Sequence, residues 1–554
     1  MRVAPTVPVE TAATVTLGLL VAILVLVPLA AVVFGAAREA SAFSVRPLLT
    51  VLGSATIISN TLVVGVGATL LAVAAGAALA LMLARIRTPG RTLLSRLVTL
   101  PLYITPLLTA IAWSWLGSPR GGLINLFARQ TFGIDSLVNL HTPGGVIFVS
   151  ALSYVPLPFL LIGAALRGMD PSLEESARVH GASTLVSLRL VTLPLVLPAI
   201  LGSGLLVFVQ AVGLFSVPAV LGMPSGFQVA GTEIYRLLNN YPPRVSQAAA
   251  WGLLLLVATA ALVWLQARLL RRRSYVTVTG KAFRPRVLDI GPVRWLLAAI
   301  AWAYVCAAVV LPVGTLVWAA LVQFITVDPN LMTFDLRHFR YVLFEYPKTY
   351  LALRNSVLLG ALSAAGVCAL GLAISWVIVR TRSWMRPWLD QLSMVPLAMP
   401  SMVLALGLLW AYVGLKALPI YGTIWILLIA YVTHYLPFGV RSGSAALRQL
   451  HAELEDAARM AGANWTRTMR WIVLPLTWPT LIATWTLLFI LAMQEVSSSI
   501  LLYTSRTTVL SVAVFDLWEA GNVNALAALS VTQLAITFVA LAVLFRARDQ
   551  AVPA

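Results

Sequence analysis

The sequence is short of charge. Only 10% of its 554 residues are Asp, Glu, Lys or Arg, against about 25% in an average soluble domain. Acids are the scarcer sign: 19 Asp and Glu stand against 38 Lys and Arg, a formal net charge of +19. Cysteine is nearly missing. The two present, Cys306 and Cys368, lie inside apolar runs, which leaves no disulfide framework to infer. The five histidines, His141, His180, His338, His434 and His451, are scattered without ligand spacing, so no metal site is read. No Gly-x-x-x-x-Gly-Lys-Ser/Thr run occurs, which argues against ATP hydrolysis by this chain. Nor is there a clustered Ser/His/Asp set of the kind a membrane-embedded enzyme needs.

What the chain does have is apolar sequence. Hydrophobic residues make up 60% of it and the mean hydropathy is +0.92. Apolar runs recur that are long enough to cross a hydrocarbon core of roughly 30 Å. The expected fold is therefore an all-α polytopic membrane protein. Twelve spans are expected, at about 12–37, 59–84, 93–117, 145–166, 195–219 and 248–268, then at about 294–323, 355–379, 388–414, 420–442, 474–494 and 525–546. The first run is longer than a signal-peptide core and has a counterpart in mid-chain, so it is read as a retained helix.

The two sets of six repeat each other. A shift of 281 residues aligns LPLVLPAI at 193–200 with LPLTWPTL at 474–481, and also Arg167/Arg448, Gly181/Gly462, Arg189/Arg470 and Pro198/Pro479. Upstream the shift becomes 295 and aligns Asn60/Asn355, Gly76/Gly371, Arg85/Arg380 and Pro101/Pro396. A longer loop near Ser118–Asp135 absorbs the difference. Six spans is an even number, so both halves enter the membrane the same way. They should be related by a pseudo-twofold axis along the membrane normal. The expected division is a first domain at 1–270, a basic linker at 271–292 and a second domain at 293–554. Asn60 and Asn355, placed before the second span of each half, read as helix caps.

Arginine placement sets the orientation. Arg85, Arg87, Arg91 and Arg96, their counterparts Arg380, Arg382 and Arg386, and the linker RLLRRRSYVTVTGKAFRPR fall on one side if both termini are cytoplasmic. The positive charge is thus a topology signal near lipid headgroups and not a nucleic-acid surface.

Between spans four and five each half carries a polar stretch unlike its surroundings: Asp170 to Pro194 and His451 to Pro475. Each begins as an acidic helix. Asp170 and Pro171 suit a helix start, and Ser172 with Glu175 offers an alternative capping box. Gly181 and Gly462 permit a left-handed turn, and Leu193-Pro194 and Leu474-Pro475 open the next span. The small residues Ala177, Ala457 and Ala458 would let a partner approach closely.

These stretches resemble the EAA loop of binding-protein-dependent ABC importer permeases. The pattern is Glu-Ala-Ala, three residues, Gly, nine residues, then an aliphatic residue, any residue and Leu-Pro. Here it reads Glu175-Ser176-Ala177, Gly181, Val191-Thr192-Leu193-Pro194, and Asp456-Ala457-Ala458, Gly462, Ile472-Val473-Leu474-Pro475. Ser176 and Asp456 are the departures, and both are mild. The preceding acids Glu174 and Glu455 belong to the same helices. The likeness extends over nearly the whole chain, since each half fits one permease domain.

The resemblance implies a permease that hydrolyses no ATP and binds no cofactor. ATP would be used by a separate cytoplasmic ABC ATPase dimer that holds the two loops. A periplasmic or extracytoplasmic substrate-binding protein would deliver substrate from the other side. The location implied is the bacterial cytoplasmic (inner) membrane, crossed many times. The fused double domain resembles the iron(III) type, which makes iron(III) the expected substrate. Thiamine, phosphonate and polyamine importers stand as alternatives, as does an ion-coupled secondary transporter.

Candidate pathway residues follow span five. They are Glu495, Ser497 and Ser498 in the second half and Gly213, Phe215 and Ser216 in the first. An ionisable residue at membrane depth is costly and therefore a functional candidate. The serines also suit plain helix packing.

Overall fold

The computed structural model describes residues 7–39, 42–271, 291–323, 333–415 and 419–551. Most of the expected linker, at 272–290, lies outside the described residues. In hydrocarbon a backbone must satisfy its own hydrogen bonds, and the helix is the local solution. The described residues are accordingly mostly helical, with turns between the helices, a two-stranded hairpin, Arg38–Glu39 with Ala42–Phe43, and a bridge between Val322 and Phe334.

Among the described residues nine helices are long and apolar enough to cross a membrane, and three bent pairs, each taken as one span, bring the total to twelve, six in each half. The bends are where the structure departs from the straight spans expected. Span three of the first half turns by 98° between Arg91–Tyr103 and Pro106–Gly117. Its counterpart turns by 106° between Arg386–Ala398 and Ser401–Tyr412. The cause is the paired prolines Pro101/Pro106 and Pro396/Pro400, which cannot donate within a helix and restrict the residue before them. Span four breaks by 44° at Pro156 in the first half. In the second half Pro437 is accommodated inside the continuous helix Ile424–Gln449. The fifth span of the first half, expected to reach residue 219, ends at Val212. A short π-helical segment, Pro218–Gly222, follows it, with every residue buried.

Small residues let spans two and four approach closely in both halves. A Cβ on Gly76 would fall 2.9 Å from the Val155 carbonyl oxygen, and one on Gly371 would fall 2.5 Å from the Gly439 carbonyl carbon. Asn60 and Asn355 are not caps. Both lie inside the second-span helices, Ala55–Arg85 and Pro347–Arg380, because those helices begin several residues earlier than the hydropathy implies. Their amides instead hold the segment that follows span five. Asn60 Nδ2 donates to Gln228 O at 3.0 Å, and Asn355 Nδ2 donates to Thr508 O at 3.0 Å.

The first span of each half packs on the sixth span of its own half, Val245–Arg271 or Val523–Ala551, and also reaches the third span of the other half. Val7–Ala36 packs on Ser401–Tyr412 of the second half, and Leu311–Leu321 packs on Pro106–Gly117 of the first. Two hydrogen bonds hold the first span of the second half against the first half: Trp113 Nε1 to Ala307 O at 3.2 Å, and Tyr304 Oη to Leu152 O at 3.1 Å. A bond that removes an indole or phenol donor from hydrocarbon also fixes the register of that helix.

Candidate functional site

The two polar loops share one backbone design. In the first, helix Pro171–Val179 is followed by Gly181 at φ +85°, a turn of helix at Thr184–Ser187 and a π-helical turn at Leu188–Thr192. In the second, helix Glu453–Met460 is followed by Gly462 at φ +81°, Trp465–Thr468 and the π-helical turn Met469–Val473. The π turns fall at equivalent positions, so the duplication extends to a rare backbone feature. Asp170 caps the first helix, its Oδ1 accepting from Ser172 N at 2.9 Å. Ala182 N donates to Ala177 O at 3.0 Å and Ala463 N to Ala458 O at 2.9 Å, the closure expected when a left-handed glycine ends a helix. A Cβ on either glycine would meet nothing within 4 Å, so backbone angle alone calls for glycine.

Each loop helix is anchored to the membrane helices by a buried ion pair. Arg380, the last residue of span two, places Nε 2.7 Å from Glu455 Oε1. Its Nη2 donates to Leu447 O at 2.9 Å and Leu450 O at 2.8 Å, at the end of span four. One guanidinium therefore ties three elements together. In the first half Arg85 reaches Glu174 Oε1 at 3.3 Å and Leu166 O at 3.3 Å, both through Nη2. The arginine side chains are 7% and 14% exposed, and the acids 13% and 7%. Such charges are tolerated at depth because they are paired and hydrogen-bonded.

The expected loop residues fall on two faces. Glu174, Glu455, Ala177 and Ala458 turn inward. Ala458 is buried, so its small size serves packing against the chain itself and not the approach of a partner. Glu175, Ser176, Asp456 and Ala457 face outward, together with Gly181 and Gly462. Leu193, Pro194 and Pro475 are exposed and Leu474 is half-buried at the start of span five. The outward face also carries apolar residues at equivalent positions. Leu173 and Leu454 are 46% and 45% exposed, and Val179 and Met460 are 85% and 90% exposed. In the sequence Arg85 and Arg380 mark only the repeat and the topology, and Val179 and Met460 carry no signal. The signal was present for the arginines, which recur at the same point of both repeats. For Val179 and Met460 only the fold shows exposure.

Span five carries the chain to the opposite face, where the halves meet. Gly213 lies against Pro400 of the second half, and a Cβ there would fall 2.5 Å from the proline Cβ. Phe215, fully buried, stacks at a tilt on Phe515 with ring centroids 5.4 Å apart. Tyr235 Oη donates to Glu519 Oε1 at 3.0 Å, a polar bond between the halves. Burial, and then the Glu519 carboxylate, pushes the Tyr235 hydroxyl well above its ordinary pKa, so it stays a donor. Ser216 is buried beside this junction in sequence.

Glu495 stands at the equivalent of Leu214 and is half-buried. Its Oε1 accepts from Ser498 N at 3.0 Å and Ser498 Oγ at 3.1 Å, and its Oε2 accepts from Tyr435 Oη at 3.2 Å. Its backbone carbonyl accepts from Ser499 and Ser511. Ser497 is half-buried and adjacent to this network. The first half has Leu214 and no carboxylate at this position. Among the described residues no group of three or more His, Cys, Asp or Glu is placed to hold a metal ion.

Two stretches of the chain, residues 72–275 and 357–551, match the model of one family, described as binding-protein-dependent transport system inner membrane component. The chain belongs to that family. It is a multi-pass inner-membrane permease, with one family domain in each half. A putative ferric transport system permease protein, FbpB 1, of Haemophilus influenzae is 28% identical over 397 residues, which are 70% of this chain and 61% of that protein. The ferric transport system permease protein FbpB of Actinobacillus pleuropneumoniae is 26% identical over 512 residues, 91% of this chain and 73% of its own length. A crystal structure of a bacterial ABC transporter that imports the polysaccharide alginate aligns at 23% identity with a TM-score of 0.39, covering 43% of this permease and 87% of that chain.

Proposed function

We propose that this permease forms the translocation pathway of an ATP-driven importer and is driven through its two loops by a separate cytoplasmic ATPase dimer. The observation that carries this reading is the pair of anchored loop helices. Each is fixed to the ends of spans two and four by a buried Arg–Glu pair. Each leaves an aliphatic or thioether side chain, Val179 or Met460, almost fully in water at the same position. A rigid base with a projecting apolar residue suits a surface that a partner grips and pulls. In this reading the loop face is cytoplasmic, both termini lie on that side, and ATP is bound only by the partner.

The opposite face then receives a soluble binding protein, as the family description implies. There Phe215, Phe515 and the Tyr235–Glu519 bond tie the two halves together. In this reading Glu495, with Ser497 and Ser498, would offer oxygen ligands to the substrate, and Gly213, Phe215 and Ser216, buried at the junction of the halves, would form part of the pathway wall when that junction opens. The substrate proposed is iron(III), the cargo in the names of the ferric relatives. A putative 2-aminoethylphosphonate permease of Salmonella typhi, PhnV, is 33% identical over 150 residues and supports phosphonate as the second reading.

The test is the double substitution Val179→Asp and Met460→Asp. Both side chains are exposed, so folding should be unchanged while association with the ATPase falls at least tenfold. Undiminished association would overturn the docking assignment. For the substrate, a partner binding protein that holds a phosphonate, thiamine or a polyamine and not iron(III) would overturn the iron reading.

A further inference from the structure

The two Arg–Glu pairs occupy equivalent positions yet are not equivalent. In the second half Arg380 spends two nitrogens: Nε on Glu455, and Nη2 on the carbonyls of Leu447 and Leu450. In the first half Arg85 spends one. Its Nη2 stands 3.3 Å from both Glu174 and Leu166 O, and its Nε and Nη1 are buried without a hydrogen-bond partner. Arg85 is only 6% exposed, so water does not serve those two N–H groups in compensation.

The two sites also differ in the residue that span five brings to the acid. Thr192, 2% exposed, donates its hydroxyl to Glu174 Oε1 at 2.8 Å, the same oxygen that Arg85 approaches. Its equivalent in the second half is Val473, 1% exposed, which has no hydroxyl to offer. The Glu455 oxygen is therefore left to Arg380 alone among these groups, while the Glu174 oxygen is divided. Thr192 and Val473 each end the π-helical turn that leads from the loop into span five. A movement of that turn relative to the loop helix would carry the Thr192 hydroxyl with it and change the competition. Nothing comparable would happen at Val473.

We infer that Thr192 keeps the first-half clamp loose while Val473 leaves the second-half clamp tight, so that Arg85 and Arg380 are positioning residues of unequal stiffness. The second loop moves as one body with spans two and four. The first loop has a clamp that tightens when span five shifts and Thr192 withdraws, the two unpartnered Arg85 nitrogens then gaining a carboxylate partner. This inference rests on the loop-driven reading above for its functional half but not for its structural half.

The experiment is a set of double-mutant cycles on the full chain in detergent without ATPase, read by thermal unfolding, followed by transport measurements with the ATPase. The pairing of Arg380 with Glu455 should exceed that of Arg85 with Glu174 by about tenfold in equilibrium constant. Thr192→Val should raise the first pairing severalfold, and Val473→Thr, which keeps both charges and folds more readily than any charge deletion, should lower the second. Equal pairings, or a first pairing indifferent to Thr192→Val, would overturn the inference whatever the loops bind. In vesicles Thr192→Val should leave ATPase association intact and lower substrate moved per ATP severalfold. An unchanged ratio would overturn the mechanical half. Loss of ATPase association by the unsubstituted chain would instead count against the docking assignment, and the cycles would stand apart from it.

Discussion

Arg380 and Glu455 lie 75 residues apart and meet at 2.7 Å, where a membrane helix ends and a loop helix begins. Breaking a buried pair leaves one charge unpaired, which costs about 3–5 kcal/mol, whereas replacing both partners with apolar residues is often near neutral. Arg380→Ala or Glu455→Ala should therefore lower the unfolding midpoint strongly, and Arg380→Met with Glu455→Leu should recover most of it. Thermal unfolding in detergent checks this. A double variant no better than the singles would contradict it.

Gly181 and Gly462 serve backbone angle and not space. Alanine at either should cost about 1 kcal/mol, and asparagine, which tolerates the left-handed region, should cost less. Hydrogen exchange across 171–187 and 453–468 should show local fraying in the alanine variants with the spans unaffected. Equal protection in all three forms would contradict the assignment.

Tyr235 bridges the halves at the face away from the loops. Tyr235→Phe keeps the ring on Phe215 and Phe515 but deletes the bond to Glu519, worth about 1 kcal/mol. That shift changes a two-state population roughly fivefold. Basal ATP hydrolysis without binding protein should rise by about that factor, because the closed junction opens more readily. An unchanged basal rate would contradict a closing role.

Glu495 is both a structural acceptor and the candidate pathway acid. Glu495→Gln keeps an oxygen for Ser498, and its amide nitrogen can donate to the Tyr435 hydroxyl, which still has Leu491 O to donate to, so the unfolding midpoint should change little. Glu495→Leu copies the first half and leaves those donors without their acceptor, at a cost of about 1–3 kcal/mol. If the negative charge serves the substrate, Glu495→Gln should lower uptake about tenfold despite normal folding. Full uptake by Glu495→Gln would confine the residue to structure.

Much of this was legible in the sequence, for identifiable reasons. Spans are long apolar runs, and the duplication is visible because Gly, Pro and Arg recur at fixed shifts in sequence that is otherwise aliphatic. The loops were legible because they are the polar exceptions. The 98° and 106° turns were not read, although Pro101/Pro106 and Pro396/Pro400 were there to suggest them. Hydropathy averages over a window and hides a bend. Asn60 and Asn355 were misplaced for the same reason, since a helix that starts in polar sequence looks shorter than it is. Within the loops, pattern matching favoured Glu175 and Asp456, while the fold buries their neighbours Glu174 and Glu455. A one-residue step on a helix rotates a side chain by 100°, and only the packing decides which acid faces in.

The central claim is that ATP hydrolysis by a separate subunit drives import through this chain. It is tested most directly by vesicles containing the permease and its ATPase, with iron(III)-loaded binding protein on the side opposite the ATPase. The account predicts accumulation of radiolabelled iron that needs ATP, ATPase and binding protein together, and that Val179→Asp with Met460→Asp abolishes. Accumulation driven by an ion gradient without ATP, or equal uptake when the ATPase is left out, would contradict it.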